Sequence, residues 1–179
     1  MAEPIDALLD GLIRDIPDYP TPGVLFKDIT PLLGDRTAFA ASVDALAAAG
    51  REIVDGPIDK VVGIEARGFI LAAPVALALG AGFVPVRKAG KLPHETYAVS
   101  YALEYGEATL EVHRDAFLSG DRVLIVDDVL ATGGTVEATT DLIGQCGAEV
   151  AGVAVLLALS FLPGLDRMAD RPLAVVRTI

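Results

Sequence analysis

The stretch "RVLIVDDVLATGGT", Arg122 to Thr135, places two adjacent acids, Asp127 and Asp128, at the end of an apolar run and follows them with a glycine pair between threonines. Ionised carboxylates only accept hydrogen bonds, so an adjacent pair at a strand end suits the hydroxyls of a sugar. Gly133 and Gly134 allow positive φ and close main-chain approach, while Thr132 and Thr135 add hydroxyls at the start of a helix. Amides converging over Ala131 to Thr135, aided by the helix dipole, form a phosphate cradle that needs no lysine. Diol readers beside a monophosphate cradle describe a ribose 5-phosphate site. The chain has no G-x-x-x-x-G-K-[ST], no G-x-G-x-x-G and no G-x-S-x-G, so a P-loop NTPase, a Rossmann dinucleotide binder and a nucleophile elbow are unsupported.

Two further segments carry cations in a chain that is acidic overall. Its 179 residues hold 25 acids against 14 lysines and arginines, a formal net charge of -11, which argues against broad affinity for nucleic acid or anionic membrane. Any anion must meet a local cluster. "IEARGF" follows an apolar run and supplies the Arg67 guanidinium with main-chain donors near Gly68, a loop able to hold pyrophosphate. On its own it reads equally well as a helix-entry turn with a solvated arginine. "VRKAGKLPHETY" concentrates Arg87, Lys88 and Lys91 after another apolar run; Gly90 and Pro93 fit a lid that closes over a polyphosphate and excludes water. A short basic cluster is more often a solvated loop. His94, His113 and Cys146 show no ligand or triad spacing and receive no catalytic role.

These residues need elements to hold them. "KVVGI", "GFVPV", "RVLIV" and "EVAGVAVLLAL" are apolar without alternation, and the helical patterns "GFILAAPVALALG" and "TVEATTDLIGQCG" separate them, which predicts a parallel sheet covered on both faces. The fold class is α/β. Between the two βα units, "ETYAVSYALEYGEATLEVHRDAF" alternates polar and apolar residues around Gly106, as in an antiparallel hairpin. Ile5, Leu8, Leu9 and Leu12 predict an amphipathic N-terminal helix, and Asp35 a helix cap for a second helix through Arg51 with Phe39, Val43 and Leu46 on one face. The Pro-rich "IPDYPTPG" between them cannot continue a helix. Residues 160–179 read as a short helix and a last strand of no legible role.

A 53% hydrophobic content supports one domain over residues 1–179, with a hood at about 1–34, a core at 35–159 and a tail at 160–179. The uncharged runs 69–86 and 150–165 are broken by proline and glycine or too short to span a bilayer. One cysteine and an N-terminus without a basic start or uninterrupted apolar centre lead to a cytoplasmic expectation with no targeting segment.

"DDVLATGGT" resembles the phosphoribosyl pyrophosphate (PRPP) motif of the type I phosphoribosyltransferases. "YPTPGVLFKDITPLL", "GIEARGF", "VRKAGKLP" and "SYALEYG" extend the resemblance over nearly the whole chain, toward the adenine-using branch of that family. The resemblance implies the type I fold with its lid hairpin and hood, and transfer of 5-phosphoribosyl from PRPP to N9 of adenine, giving AMP and pyrophosphate. It implies Asp127 and Asp128 on the ribose, Ala131, Thr132, Gly133, Gly134 and Thr135 on the 5-phosphate, and Arg67, Lys88 and Lys91 on the leaving group. Glu104, between Tyr101 and Tyr105, would exchange a proton with the purine, its pKa raised by burial. Adenine offers a donor beside an acceptor, which a fixed backbone can read, and the resemblance points to Val24, Phe26 and Lys27 for this. It adds Mg2+ carried by PRPP and not by protein side chains, and a homodimer in which Arg87 approaches the neighbouring site. A transferase for hypoxanthine or xanthine stays open, as does a non-catalytic PRPP-sensing regulator, although the latter would normally carry a basic DNA-binding domain.

Overall fold

The computed structural model describes residues 5–102 and 107–179. Its backbone divides into two compact units, Met1–Ala45 and Leu46–Ile179.

In the first unit, α1 (Ile5–Leu12) buries Leu8 and Leu9, as the apolar spacing predicts. The two-stranded antiparallel sheet that follows, β1 (Arg14–Pro17) with β2 (Leu25–Asp28), was not anticipated, nor was the short α2 (Thr30–Gly34). The prolines explain why. Pro17 closes β1, Pro20 and Pro22 lie in the connecting turn, and Pro31 occupies the first turn of α2, where no intrahelical N–H is required. Four-residue strands are also too short to show a period. Asp35 then caps α3 (Arg36–Ile53) as expected: its Oδ1 accepts from the amides of Thr37 at 2.9 Å and Ala38 at 2.8 Å. The buried stripe of α3 runs through Ala38, Ser42 and Leu46, while Phe39 and Val43 are only half-buried, so the predicted face is rotated by about one residue.

The second unit is built on a seven-stranded sheet of order β5-β6-β4-β3-β7-β8-β9. Its parallel part comprises β3 (Lys60–Ile64), β4 (Gly82–Lys88), β7 (Arg122–Leu130), β8 (Glu149–Ala158) and β9 (Leu173–Thr178). The predicted hairpin, β5 (Thr96–Ala102) with β6 (Glu107–His113), is antiparallel and joins the sheet's edge through β6 against β4. Between β3 and β4 runs α4 (Arg67–Leu79), and between β7 and β8 runs α5 (Gly134–Gln145). The tail supplies α6 (Gly164–Arg167) and then β9.

Both faces are covered, which is why the strands lack alternation. On one face Val62, Ile125, Val153 and Val155 pack with Val136, Leu142 and Ile143 of α5. On the other, the C-terminal part of α3 comes so close to β7 that a Cβ on Gly50 would stand 2.6 Å from Leu124 Cδ2. Among the described residues no helix is long and apolar enough to cross a membrane.

The strand order fixes where a ligand can sit. Chain connections leave β3 toward β4 and leave β7 toward β8, in opposite directions, so the crevice beyond the carboxyl ends of β3 and β7 is the switch point of the sheet.

Candidate active site

Asp127 and Asp128 lie within β7, not past its end as the apolar run suggested. β7 pairs with β3 only to Val126, opposite Gly63, whereas its pairing with β8 continues to Leu130, opposite Ala158. The acids therefore occupy a length of strand that is held on one side and open on the other. At that opening begins α4, so close that a Cβ on Gly68 would stand 2.6 Å from Asp127 Oδ1. A side chain at this position would displace the carboxylate.

Arg67, at the start of α4, brings its Nε to 2.7 Å from Asp128 Oδ2; the contact is an ion pair and not an aligned hydrogen bond. The Asp128 side chain is 7% exposed and the Arg67 side chain 32%. Asp127 Oδ1 accepts from the Asp128 amide at 2.9 Å. Burial, then the neighbouring Asp128 charge, pushes the Asp127 pKa well above the ordinary carboxylate value of 3.8. Burial also raises that of Asp128, against the pull of Arg67. Two carboxylates this close resist double ionisation until hydroxyls or cations compensate them.

The "ATGGT" bend follows immediately. Gly133, at φ +85°, caps α5, and Gly134 is its first residue. The positive φ turns the chain from strand to helix, a conformation that favours glycine. A Cβ on Gly134 would stand 3.3 Å from the Tyr101 ring, and Thr135 Oγ1 donates to Tyr101 Oη at 3.3 Å. Tyr101 of β5 thus presses the hairpin onto this bend, a contact that sequence reasoning missed because it pairs residues 34 apart. Thr132 is exposed, as a ligand-facing hydroxyl needs to be.

Arg87 and Lys88 belong to β4, which runs two residues further than "GFVPV". The reason is pairing with β6, where Arg87 lies opposite Glu111 and Lys88 opposite Leu110. Arg87 Nε donates to Glu65 Oε2 at 3.2 Å and its Nη1 to the Lys91 carbonyl at 3.2 Å. The Lys88 amide donates to the same Glu65 oxygen at 3.0 Å. Burial works against the Glu65 charge, but the Lys88 amide and the Arg87 guanidinium outweigh it and hold its pKa below the ordinary value. Glu65 therefore ties the β3–α4 turn to the base of the basic segment, while Lys88 and Lys91 are exposed.

Glu104 falls outside the described residues. Val24, Phe26 and Lys27 lie in the first unit, around a turn in which the Val24 amide donates to Thr21 O and the Tyr19 amide to Val24 O, each at 3.2 Å. The Phe26 ring meets Tyr19 edge-on at 5.1 Å. Lys27 Nζ is 2.6 Å from Asp15 Oδ1, with the lysine side chain 9% exposed. Cys146 is half-buried, and burial pushes its thiol pKa up, away from nucleophilic use. Among the described residues no group of three or more His, Cys, Asp or Glu side chains could hold a metal ion.

An open sheet with acids and a helix-capping bend at its switch point, an arginine turn opposite and a hairpin at its edge is the layout of a type I phosphoribosyltransferase. The phosphoribosyl transferase domain model matches residues 33–173. The chain belongs to that family and, within it, groups with the adenine phosphoribosyltransferases. It is 66% identical over 170 residues to the adenine phosphoribosyltransferase of Nocardioides sp., covering 94% of this chain and 92% of that one. The crystal structure of adenine phosphoribosyltransferase from Thermoanaerobacter pseudethanolicus is 45% identical with a TM-score of 0.92, over 98% of this chain and 100% of that one. The Saccharomyces cerevisiae enzyme, crystallised with an imino-altritol bisphosphate and adenine, is 36% identical with a TM-score of 0.89, over 97% of this chain and 98% of that one.

Proposed function

We propose that the protein transfers the 5-phosphoribosyl group of PRPP to N9 of adenine, releasing AMP and pyrophosphate in purine salvage. The observation that carries this reading is the pair Asp127 and Asp128 on an open strand edge, followed at once by the Gly133-capped start of α5 and faced by Arg67. Relatives named adenine phosphoribosyltransferase support the choice of base.

The bond from the anomeric carbon to pyrophosphate breaks as the bond to N9 forms, through a transition state with oxocarbenium character. Asp127 and Asp128 accept from the ribose hydroxyls, and their negative charge stabilises the cationic ring. Amides over Ala131 to Thr135 hold the 5-phosphate at the helix start. Arg67, Lys88 and Lys91 offset charge on departing pyrophosphate, and closure of residues 89–95 excludes water. Glu104 handles the N9 proton, and the backbone near Val24, with Phe26 and Lys27, reads the base. Mg2+ would be carried by PRPP, where it would offset charge on the pyrophosphate, and no side chain of this chain is assigned to hold it: Asp128 is already paired with the Arg67 guanidinium.

The working unit is a homodimer in the cytoplasm. Ile70 (43% exposed) and Leu77 (83% exposed) leave an apolar stripe on α4 that supports pairing of two copies. Arg87 reaches the neighbouring copy's pyrophosphate only after its tie to Glu65 opens.

The test is direct. Incubation with PRPP, magnesium and each of adenine, hypoxanthine, guanine, xanthine or uracil yields nucleoside monophosphate from adenine alone. Product from another base only refutes the specificity, and no product with any base refutes the activity.

A further inference from the structure

The tail lies directly behind the phosphate-gripping bend. The Gly164 amide donates to the Ala131 carbonyl at 3.0 Å. No side chain fits at that glycine: a Cβ would collide with the Ala131 carbonyl oxygen and stand 3.0 Å from Leu130 Cγ and 3.1 Å from Ala131 C. Those obstacles are mostly backbone and cannot swing aside. The peptide that joins Ala131 to Thr132 is planar, so holding its carbonyl against α6 aims the Thr132 N–H the opposite way. Gripping one oxygen thereby orients one of the amides assigned to the phosphate.

A second layer packs against the bend two residues on, at Gly133. Met168 is fully buried, and its Cε stands 3.5 Å from where a Cβ of Gly133 would be, with Arg167 Cδ at 3.4 Å. Arg167 Nη1 lies 3.4 Å from Glu137 Oε2 in the first turn of α5, and Arg171 Nη1 donates to Thr140 Oγ1 at 3.3 Å. The buttress is itself secured: the Leu159 amide donates to Leu130 O at 3.0 Å, and the Ser160 amide to Ile179 O at 2.8 Å.

We propose that Gly164 and Met168 are positioning residues for the bend, setting the direction of its amides and hence the affinity for a sugar 5-phosphate. This rests on the ribose 5-phosphate reading of the bend. It gives the tail a part in the reaction without contact to substrate.

The experiment compares wild type, Gly164→Ala, Met168→Ala, Met168→Leu and Gly152→Ala by calorimetric titration with ribose 5-phosphate, alongside thermal unfolding and adenine turnover. Gly152 is a second crowded glycine, in β8, where a Cβ would meet the side-chain ends Val54 Cγ2 at 2.9 Å and Ile53 Cδ1 at 3.0 Å, so Gly152→Ala, with its own loss in thermal unfolding measured alongside, reports what lost stability does. Gly164→Ala weakens ribose 5-phosphate about tenfold and raises KM for PRPP with KM for adenine unchanged. Met168→Ala weakens it severalfold, whereas Met168→Leu, which restores the volume, and Gly152→Ala stay within about twofold of wild type. An unchanged Kd for Gly164→Ala, or equal weakening by Gly152→Ala, overturns the proposal. Should Gly164→Ala not fold, equal affinities of Met168→Ala and wild type overturn it instead. If the variants show this pattern of affinities yet the wild type makes no AMP, the proposed activity is refuted and the positioning role stands.

Discussion

Arg67 Nε stands 2.7 Å from Asp128 Oδ2, joining the first residue of α4 to the open edge of β7. The pair locks together the two sides of the crevice between β3 and β7. Removing the cation strands a buried carboxylate, while the exposed third of the guanidinium limits the loss through solvent screening. Arg67→Met therefore lowers stability by about 1–2 kcal/mol in urea unfolding and raises KM for PRPP more than KM for adenine. Stability equal to wild type would show that the pair contributes nothing to the crevice.

Asp127 acts in the opposite sense. Its pKa is raised in the folded chain, so between the ordinary value of 3.8 and the raised value the folded state binds more protons than the unfolded state. Stability from this group is therefore lost as pH rises through that window. Asp127→Asn unfolds later than wild type at neutral pH, by on the order of 1 kcal/mol, and the advantage disappears near pH 4. On the proposed mechanism turnover falls at the same time, because the amide carries no charge to offer the ribose ring. A variant less stable than wild type at pH 7.5 would contradict this.

Glu65 titrates the other way. Its folded pKa is lowered, so its contribution is complete above the unfolded value of about 4.5 and is lost as pH falls through the lower folded value. Glu65→Gln flattens the acid limb of the stability profile and loosens Arg87 and the Lys88 amide, which shared that oxygen. An unaltered acid limb, measured by unfolding from pH 3 to 7, would remove the tie.

Tyr101 links the hairpin to the bend through ring and hydroxyl. The ring packing against Gly134 is the larger part, since a neutral hydrogen bond at 3.3 Å contributes only about 0.5–1 kcal/mol. Tyr101→Phe stays within about threefold of wild-type kcat/KM for PRPP, and Tyr101→Ala loses at least about tenfold. Equal effects of the two would place the contribution in the hydroxyl.

Glu104→Gln and Lys91→Ala separate the two ends of the reaction. The first lowers kcat with adenine by about a hundredfold, the scale of a lost acid–base group. The second raises KM for PRPP and leaves adenine recognition in place. Unchanged turnover in both would remove these roles.

Much of this was legible in the residues because each motif sits where its local physics is strongest. The unbroken apolar runs identified buried parallel strands, and Asp35 announced α3 by a cap contained within residues 35–38. The glycine pair at 133 and 134 marked a strand-to-helix bend that favours positive φ. What escaped depends on distant partners. Asp127 and Asp128 fell inside β7 because β8 continues beside them after β3 has stopped, a matter of register that no single run encodes. Tyr101 over Gly134, Gly68 against Asp127 and Gly164 under Ala131 are close approaches between segments tens of residues apart. Gly68 and Gly134 were legible for main-chain donors and backbone freedom but not for what packs against them, and Gly164 lies in the tail, whose role no local pattern shows.

On the proposed function the bend holds a 5-phosphate while the two aspartates hold the ribose. A crystal structure with AMP tests it most directly. The phosphate oxygens are expected within about 3.2 Å of amides between Ala131 and Thr135, with the ribose hydroxyls on Asp127 and Asp128. A nucleotide bound elsewhere, with the bend holding only solvent, would contradict it.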